Sequence, residues 1–233
     1  MTLRRIVYAI VFYGGSTVYV LLGTIMAFIS KELLARIAEN WSWYQHRCMA
    51  AIGGVTVRIE GELPREALLY AIKHESYFET IDMPRLFDRP AVIAKGELLK
   101  IPLWGVVATR YGLIGIDRAG GAKELRALMK TGRAMAAAGR PIIIFPEGTR
   151  ARPGEAPPLR SGFAGLYKLL NIPVVPIAVN SSAHVDRNGL PVRKGAVTYL
   201  VGETIPPGLP RDEAEARVHA AINALNLPGA SGS

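Results

Sequence analysis

The chain begins with a long stretch that has no polar face. Residues 6–30 carry no charged side chain, a run of 25 positions. As a helix this run reaches about 37 Å, against the ~30 Å of a bilayer's hydrocarbon core. A soluble core helix rarely stays uncharged on every side. A cleaved signal peptide has a shorter apolar stretch and ends in an Ala-x-Ala site, which does not follow here. Two membrane readings stay open, a single pass and a helix that dips in and returns. Gly14-Gly15-Ser16 sits mid-segment, where glycine marks a candidate kink. Arg4 and Arg5 lie before the run, and Lys31, Arg36 and Arg47 after it. A single pass would leave one basic cluster on the outer face, against the positive-inside tendency, and a returning helix avoids this.

The pattern then changes period. Over residues 31–49, Leu33, Leu34, Ile37, Trp41, Tyr44 and Cys48 fall at helical spacing and form an amphipathic stripe. It either packs on the rest of the protein or lies at a lipid interface, where Trp41, Trp43 and Tyr44 are favoured types. Beyond residue 50, short apolar runs alternate with helical ones. Strands are expected over 55–60, 68–72, 91–94, 113–116, 142–145, 174–179 and 197–201. Helices are expected over 79–87, 122–138, 163–170 and 212–225; in the second, Leu125, Leu128, Met129 and Met135 make the apolar face. A continuous run such as Ile142-Ile143-Ile144-Phe145 suits a strand buried on both faces. The alternation argues for an α/β domain.

Composition narrows the function classes. Hydrophobic residues make up 50% and charged residues 20%, which excludes a disordered chain. Among 233 residues, 28 Lys and Arg against 19 Asp and Glu give a net charge of +9, so an anionic partner is expected. No recognition-helix motif or long basic stripe is present, which argues against DNA. Cys48 is the sole cysteine, which excludes an internal disulfide and any multi-cysteine metal site. The four histidines lack HExxH spacing, so no metal is expected.

Three strand ends carry candidate chemistry. His74 follows an apolar strand and Glu79 stands five positions later. A carboxylate that accepts from one imidazole nitrogen fixes the tautomer, and the other nitrogen then takes a proton from a hydroxyl. On an ideal helix the two side chains would stand about 140° apart, so the pair needs a turn between strand and helix. The spacing alone is not specific. Pro146-Glu147-Gly148-Thr149-Arg150 ends another strand: Gly148 lets a ligand approach the backbone, Thr149 offers a hydroxyl, and Arg150 can grip phosphate in bidentate fashion. It is neither a Walker loop nor a GxGxxG fingerprint. Asp117-Arg118 ends a third strand, either as a structural salt bridge or with Arg118 as a second phosphate ligand.

Taken together, these blocks resemble the lysophosphatidic acid acyltransferase family, the glycerolipid acyltransferases. His74-x4-Glu79 is similar to the family's His-x4-Asp motif, and Gly112 to Arg118 to its Gly-x-x-Phe-Ile-Asp-Arg block. Phe145 to Arg150 matches its Phe-Pro-Glu-Gly-Thr-Arg block, and Val175-Pro176-Ile177 its Val-Pro-Ile block. Lys95 to Gly105 resembles the segment between the first two motifs. Two departures stand out: Glu79 replaces the usual Asp, and Ile114 replaces an aromatic residue.

The resemblance implies a mixed, largely parallel central sheet flanked by helices, after an N-terminal membrane-anchoring helical segment. Residues 1–50 would be the anchor, 51–227 the catalytic domain and 228–233 a flexible tail. It implies an enzyme that moves an acyl group from acyl-CoA or acyl-carrier protein to the sn-2 hydroxyl of lysophosphatidic acid, without a cofactor. His74 would be the base and Glu79 its orienter. Arg118, Glu147, Gly148, Thr149 and Arg150 would surround the acceptor phosphate, Glu147 by hydrogen-bonding the acceptor or ordering the arginines. Ser76 would support the His74 turn, and Lys95 and Lys100 would add phosphate contacts. The donor is cytosolic, so the cytoplasmic face of the inner membrane is the expected location. Another lyso-lipid acceptor, such as a lyso-ornithine lipid, and a lipid-binding protein without turnover are the competing readings.

Overall fold

The computed structural model describes residues 2–117 and 121–226, with the backbone alone for 121–125. Two helices come first, α1 (Leu3–Ile29) and α2 (Lys31–Cys48). They break at Ser30, whose extended backbone ends α1 and whose hydroxyl accepts from the Leu33 amide to cap α2. The two run antiparallel: Trp41 Nε1 donates to Ser16 Oγ at 2.9 Å and the Tyr44 hydroxyl to the Val11 carbonyl at 2.6 Å. α1 continues without a break through Gly14-Gly15-Ser16. Gly15 has a different use, because a Cβ there would collide with the Tyr44 ring. α1 is long and apolar enough to cross a membrane. Leu3, Ile10, Val18, Leu22, Ile25, Phe28 and Ile29 lie exposed along it. The α2 stripe turns inward instead: Leu34 and Cys48 are buried, and Trp41 and Tyr44 pack against the core.

A short π-helical turn (Met49–Gly53) leads into the sheet. Its strands are β1 (Val55–Glu60), β2 (Leu69–Ile72), β3 (Ala91–Lys95), β4 (Ile114–Ile116), β5 (Ile142–Ile144), β6 (Val174–Val179) and β7 (Gly195–Val201). Between and after them lie α3 (Tyr77–Leu86), α4 (Trp104–Tyr111), α5 (Gly121–Ala137), α6 (Ser161–Leu170) and α7 (Arg211–Ile222). The spatial order is β1-β7-β6-β2-β5-β3-β4. The five strands from β6 to β4 are mutually parallel, and β7 joins β6 antiparallel, with β1 parallel to β7. The seven strands match the runs read from the sequence. α4 was not foreseen.

Burial on both faces explains the uninterrupted apolar strands. Alternate residues of a strand point to opposite sides. Tyr70, Ile72, Ile143, Val175 and Ile177 join Phe78, Met83 and Phe87, together with Tyr8, Phe12 and Met49 from the N-terminal segment. Leu69, Ala71, Ile142, Ile144 and Val174 join Phe163, Leu166, Val218 and Ile222 on the other side. Each buried Val, Leu, Ile, Phe or Met side chain among them contributes about 1.5–3 kcal/mol. This three-layer core sets the parallel strand ends rigidly side by side. In such sheets, ligands bind beyond the C-terminal strand ends. His74 lies beyond β2, residues 146–150 beyond β5, Lys95 at the end of β3, and Ser181 beyond β6.

Candidate active site

The turn that the His74–Glu79 pair requires is a capped helix start. Ser76 is the N-cap of α3: its hydroxyl accepts from the Phe78 amide at 2.9 Å, while Glu79 at the third helical position reaches back to the Ser76 amide at 2.6 Å. This is a capping box, which satisfies two of the orphan amides at a helix start. It also aims the carboxylate at His74, and His74 Nδ1 lies 3.0 Å from Glu79 Oε1. The Glu75 amide donates to the same oxygen at 2.6 Å. Oε2 accepts from the Ser76 and Ser181 hydroxyls, both at 2.9 Å. Thus five donors converge on one fully buried carboxylate.

Those donors decide its charge. Burial alone would push the Glu79 carboxyl up; the hydrogen bond and charge of His74 and the backbone amides outweigh it and hold the group below its ordinary value. An ionised Glu79 accepts at Nδ1, so Nδ1 carries the proton and Nε2 is left as the acceptor. Among the described residues, none hydrogen-bonds Nε2. The His74 side chain is 16% exposed and tilts over Phe145, ring centroids 4.4 Å apart.

The second strand end is bolted to the first. Lys73, just before the histidine, is fully buried and donates to Glu147 Oε1 at 2.6 Å, to Asn223 Oδ1 at 2.6 Å and to the Glu155 carbonyl at 2.7 Å. Glu147 Oε2 accepts from the His74 amide at 3.0 Å. Both oxygens of Glu147 are therefore engaged inside the protein. This corrects its expected place among the phosphate ligands: the side chain braces the β2 and β5 ends and faces away from solvent. Beyond it, Gly148 adopts φ +69°, a conformation open to glycine, and its amide closes a turn onto the Phe145 carbonyl at 2.9 Å. Thr149 is exposed on that turn. The Ala151 amide donates to the His74 carbonyl at 2.7 Å, so the Arg150 segment runs directly beside the histidine.

Arg150 itself lies over the Tyr77 ring, 4.2 Å from the centroid, and donates to the Arg187 carbonyl at 2.6 Å. Arg187 returns a bond to the Arg150 carbonyl at 3.1 Å. The Arg150 and Arg187 side chains thus each grip the other's backbone at the edge of the histidine turn. Lys95 and Lys100 are exposed at and after the end of β3. Arg118 and the tail 228–233 lie outside the described residues. Among the described residues, no cluster of three or more His, Cys, Asp or Glu side chains could hold a metal ion.

Two contributors, Lys73 and Arg187, carry no sequence signal. A buried lysine looks like a surface one until its partner is placed. Ser181 belongs to the polar end of the 174–181 run, which the sequence offers as the part of that run able to touch the site, though it stands 102 positions from the carboxylate it serves. Arg187 follows the Val-Pro-Ile block at a distance that no spacing rule would single out.

The profile of the family described as Acyltransferase matches residues 54–180. A 1-acyl-sn-glycerol-3-phosphate acyltransferase of Pseudomonas aeruginosa is 27% identical over 187 residues, 77% of this chain and 73% of that protein. One from Cocos nucifera is 29% identical over 170 residues, 70% of this chain, which spans 55% of that longer protein. The crystal structure of a 1-acyl-sn-glycerophosphate (LPA) acyltransferase from Thermotoga maritima superposes with a TM-score of 0.74 at 19% identity, covering 97% of each chain, so the fold is shared.

Proposed function

Because the chain belongs to the acyltransferase family, we propose that it acylates the sn-2 hydroxyl of lysophosphatidic acid to give phosphatidic acid. The observation that carries this reading is the His74–Glu79 pair, 3.0 Å apart, with the Arg150 segment hydrogen-bonded alongside.

Glu79 keeps the proton of His74 on Nδ1, and Nε2 takes the proton of the acceptor hydroxyl. The freed oxygen attacks the thioester carbonyl carbon. A C–O bond forms, the C–S bond breaks, and the proton passes from Nε2 to the leaving thiolate. No acyl-enzyme is needed. Such base catalysis is typically worth about 10²–10⁴-fold. Glu79 also stabilises the imidazolium that forms midway. Arg150, with Thr149, the open backbone at Gly148 and Arg118, binds the acceptor phosphate and sets its hydroxyl against the base. Glu147 acts through position alone, by holding the two strand ends in register. Ser76 and Ser181 hold Glu79. Lys95 and Lys100 supply further positive charge beside the end of β3.

The acceptor is a lipid, and the exposed apolar face of α1 is suited to keep the enzyme at a bilayer. We place the site on the cytoplasmic face, where acyl-CoA and acyl-carrier protein are found; both are thioesters and both fit the step. The test offers the purified full-length protein both donors and a mixture of lyso-lipids, with products identified by mass spectrometry. Phosphatidic acid as the main product is expected. A dominant acylated aminolipid, or no turnover with any pair, overturns the reading.

A further inference from the structure

A second apolar surface lies beside the strand ends that carry the site. Ile101, Pro102 and Leu103 are consecutive and all exposed, Ile101 by 46% and Leu103 by 44%, and Val106 adds 36% one turn into α4. Leu103 sits at φ +61° and ψ −56°, with the Trp104 amide donating to the Pro102 carbonyl at 2.7 Å. That is a γ-turn of the rare, strained kind, centred on a branched apolar residue. The loop is braced from behind. Ile101 donates to Leu98 O, Gly105 to Ile101 O and Val107 to Leu103 O. A Cβ at Gly105 would collide with the Leu99 carbonyl. A rigid, strained turn therefore holds three apolar side chains outward, where water disfavours them.

The surroundings identify the occupant. α4 packs along α1: Val107 meets Gly23, and Arg110 stacks on Phe28 at 5.3 Å. The apolar loop thus opens a helix that packs on α1, the one helix among the described residues long and apolar enough to cross a bilayer. Lys100 and Arg110, both exposed, flank it, and they suit anionic headgroups. The loop also directly follows the 3-10 turn (Gly96–Lys100) at the end of β3, on the same C-terminal side of the parallel strands as His74.

We propose that residues 101–106 form a second membrane contact, a wedge that enters the lipid surface and holds the mouth of the site against it. The inference rests on the membrane placement of α1 under the proposed function. Labelling tests it independently of turnover. In a Cys48→Ala background, an environment-sensitive fluorophore is attached at Leu103→Cys, at Ile25→Cys on α1, and at Thr56→Cys on the far sheet edge. The protein is reconstituted in phosphatidylcholine–phosphatidylglycerol vesicles containing a nitroxide acyl-chain lipid. Quenching at position 103 close to that at 25, with position 56 unquenched, is expected. Position 103 behaving like position 56 overturns the wedge. Doubling the change, Ile101→Asp with Leu103→Asp is expected to raise KM about tenfold for vesicle-embedded lysophosphatidate and to leave a water-soluble short-chain acceptor within twofold. Equal effects on both acceptors count against it. If neither acceptor is acylated at all, the proposed function fails and the quenching still decides the wedge.

Discussion

Lys73 and Glu147 form a fully buried ion pair, Nζ to Oε1 2.6 Å, joining the residue before His74 to the turn that carries Arg150. Removing one partner leaves an uncompensated charge in the interior, which typically costs about 3–5 kcal/mol. Lys73→Met is therefore expected to lower the unfolding midpoint in urea sharply. Lys73→Met combined with Glu147→Gln is expected to recover part of that loss. A single variant as stable as the parent protein would show that the brace is dispensable.

Glu79 serves the helix and the histidine with one carboxylate. Glu79→Ala removes both its half of the capping box and the orienter, so kcat should fall about 10²–10⁴-fold and the unfolding temperature should drop as well. Glu79→Asp keeps the charge but is one methylene shorter, so it should retain measurable turnover. Full activity in Glu79→Ala would separate the carboxylate from the chemistry.

Arg150 is expected to act in binding. Hydrogen bonds to charged groups are worth about 1.5–3 kcal/mol, roughly 10–150-fold in affinity. Arg150→Ala should raise KM for lysophosphatidate within that range with a smaller change in kcat. Arg150→Lys should restore part of it, since lysine keeps the charge and loses the fork. Steady-state kinetics with varied acceptor would check this, and an unchanged KM would remove Arg150 from the phosphate site.

Glu75 gives a pH signature. Burial, with the Glu79 charge adding to it, pushes its carboxyl from 4.5 up to about 7, against the opposing Ser182 hydrogen bonds and the Lys73 charge. The folded protein thus holds a proton between pH 4.5 and 7 that the unfolded chain has released. Its contribution is complete below pH 4.5, declines as pH rises to 7, and is flat above. Glu75→Gln stays neutral throughout. Its stability relative to the parent should therefore improve between pH 5 and pH 8 by on the order of 2 kcal/mol, measured by urea denaturation at the two pH values. An equal difference at both pH values would rule out this titration.

The parts of the fold that were legible in sequence are those set by local pattern. Ile142-Ile143-Ile144 and the run 174–179 read as two-faced strands because both faces are in fact covered. The strand order, in which β2 lies between β5 and β6, depends on pairings far apart in the chain and was not readable. α4 was missed because eight residues behind Pro102 make too short a pattern. A glycine that bends a helix and one that admits a neighbouring ring look alike in sequence until the neighbour is placed, and Gly15 admits the Tyr44 ring. The Ser76-x-x-Glu79 capping signature was present but lay under the His74–Glu79 spacing, so α3 was expected to begin at residue 79 and begins at Tyr77. His74, Glu79 and Arg150 were nameable from the family resemblance. Their bracing by Lys73, Glu147 and Ser181 emerges from contacts between strand ends.

The most direct test of the proposed chemistry is the turnover of His74→Ala with acyl-CoA and lysophosphatidate, in protein whose unfolding transition matches the parent. His74 is partly exposed, and α3 is capped by Ser76, so the fold should survive the change. The account predicts a loss in kcat of at least about 10²-fold. Turnover near that of the parent protein would contradict it.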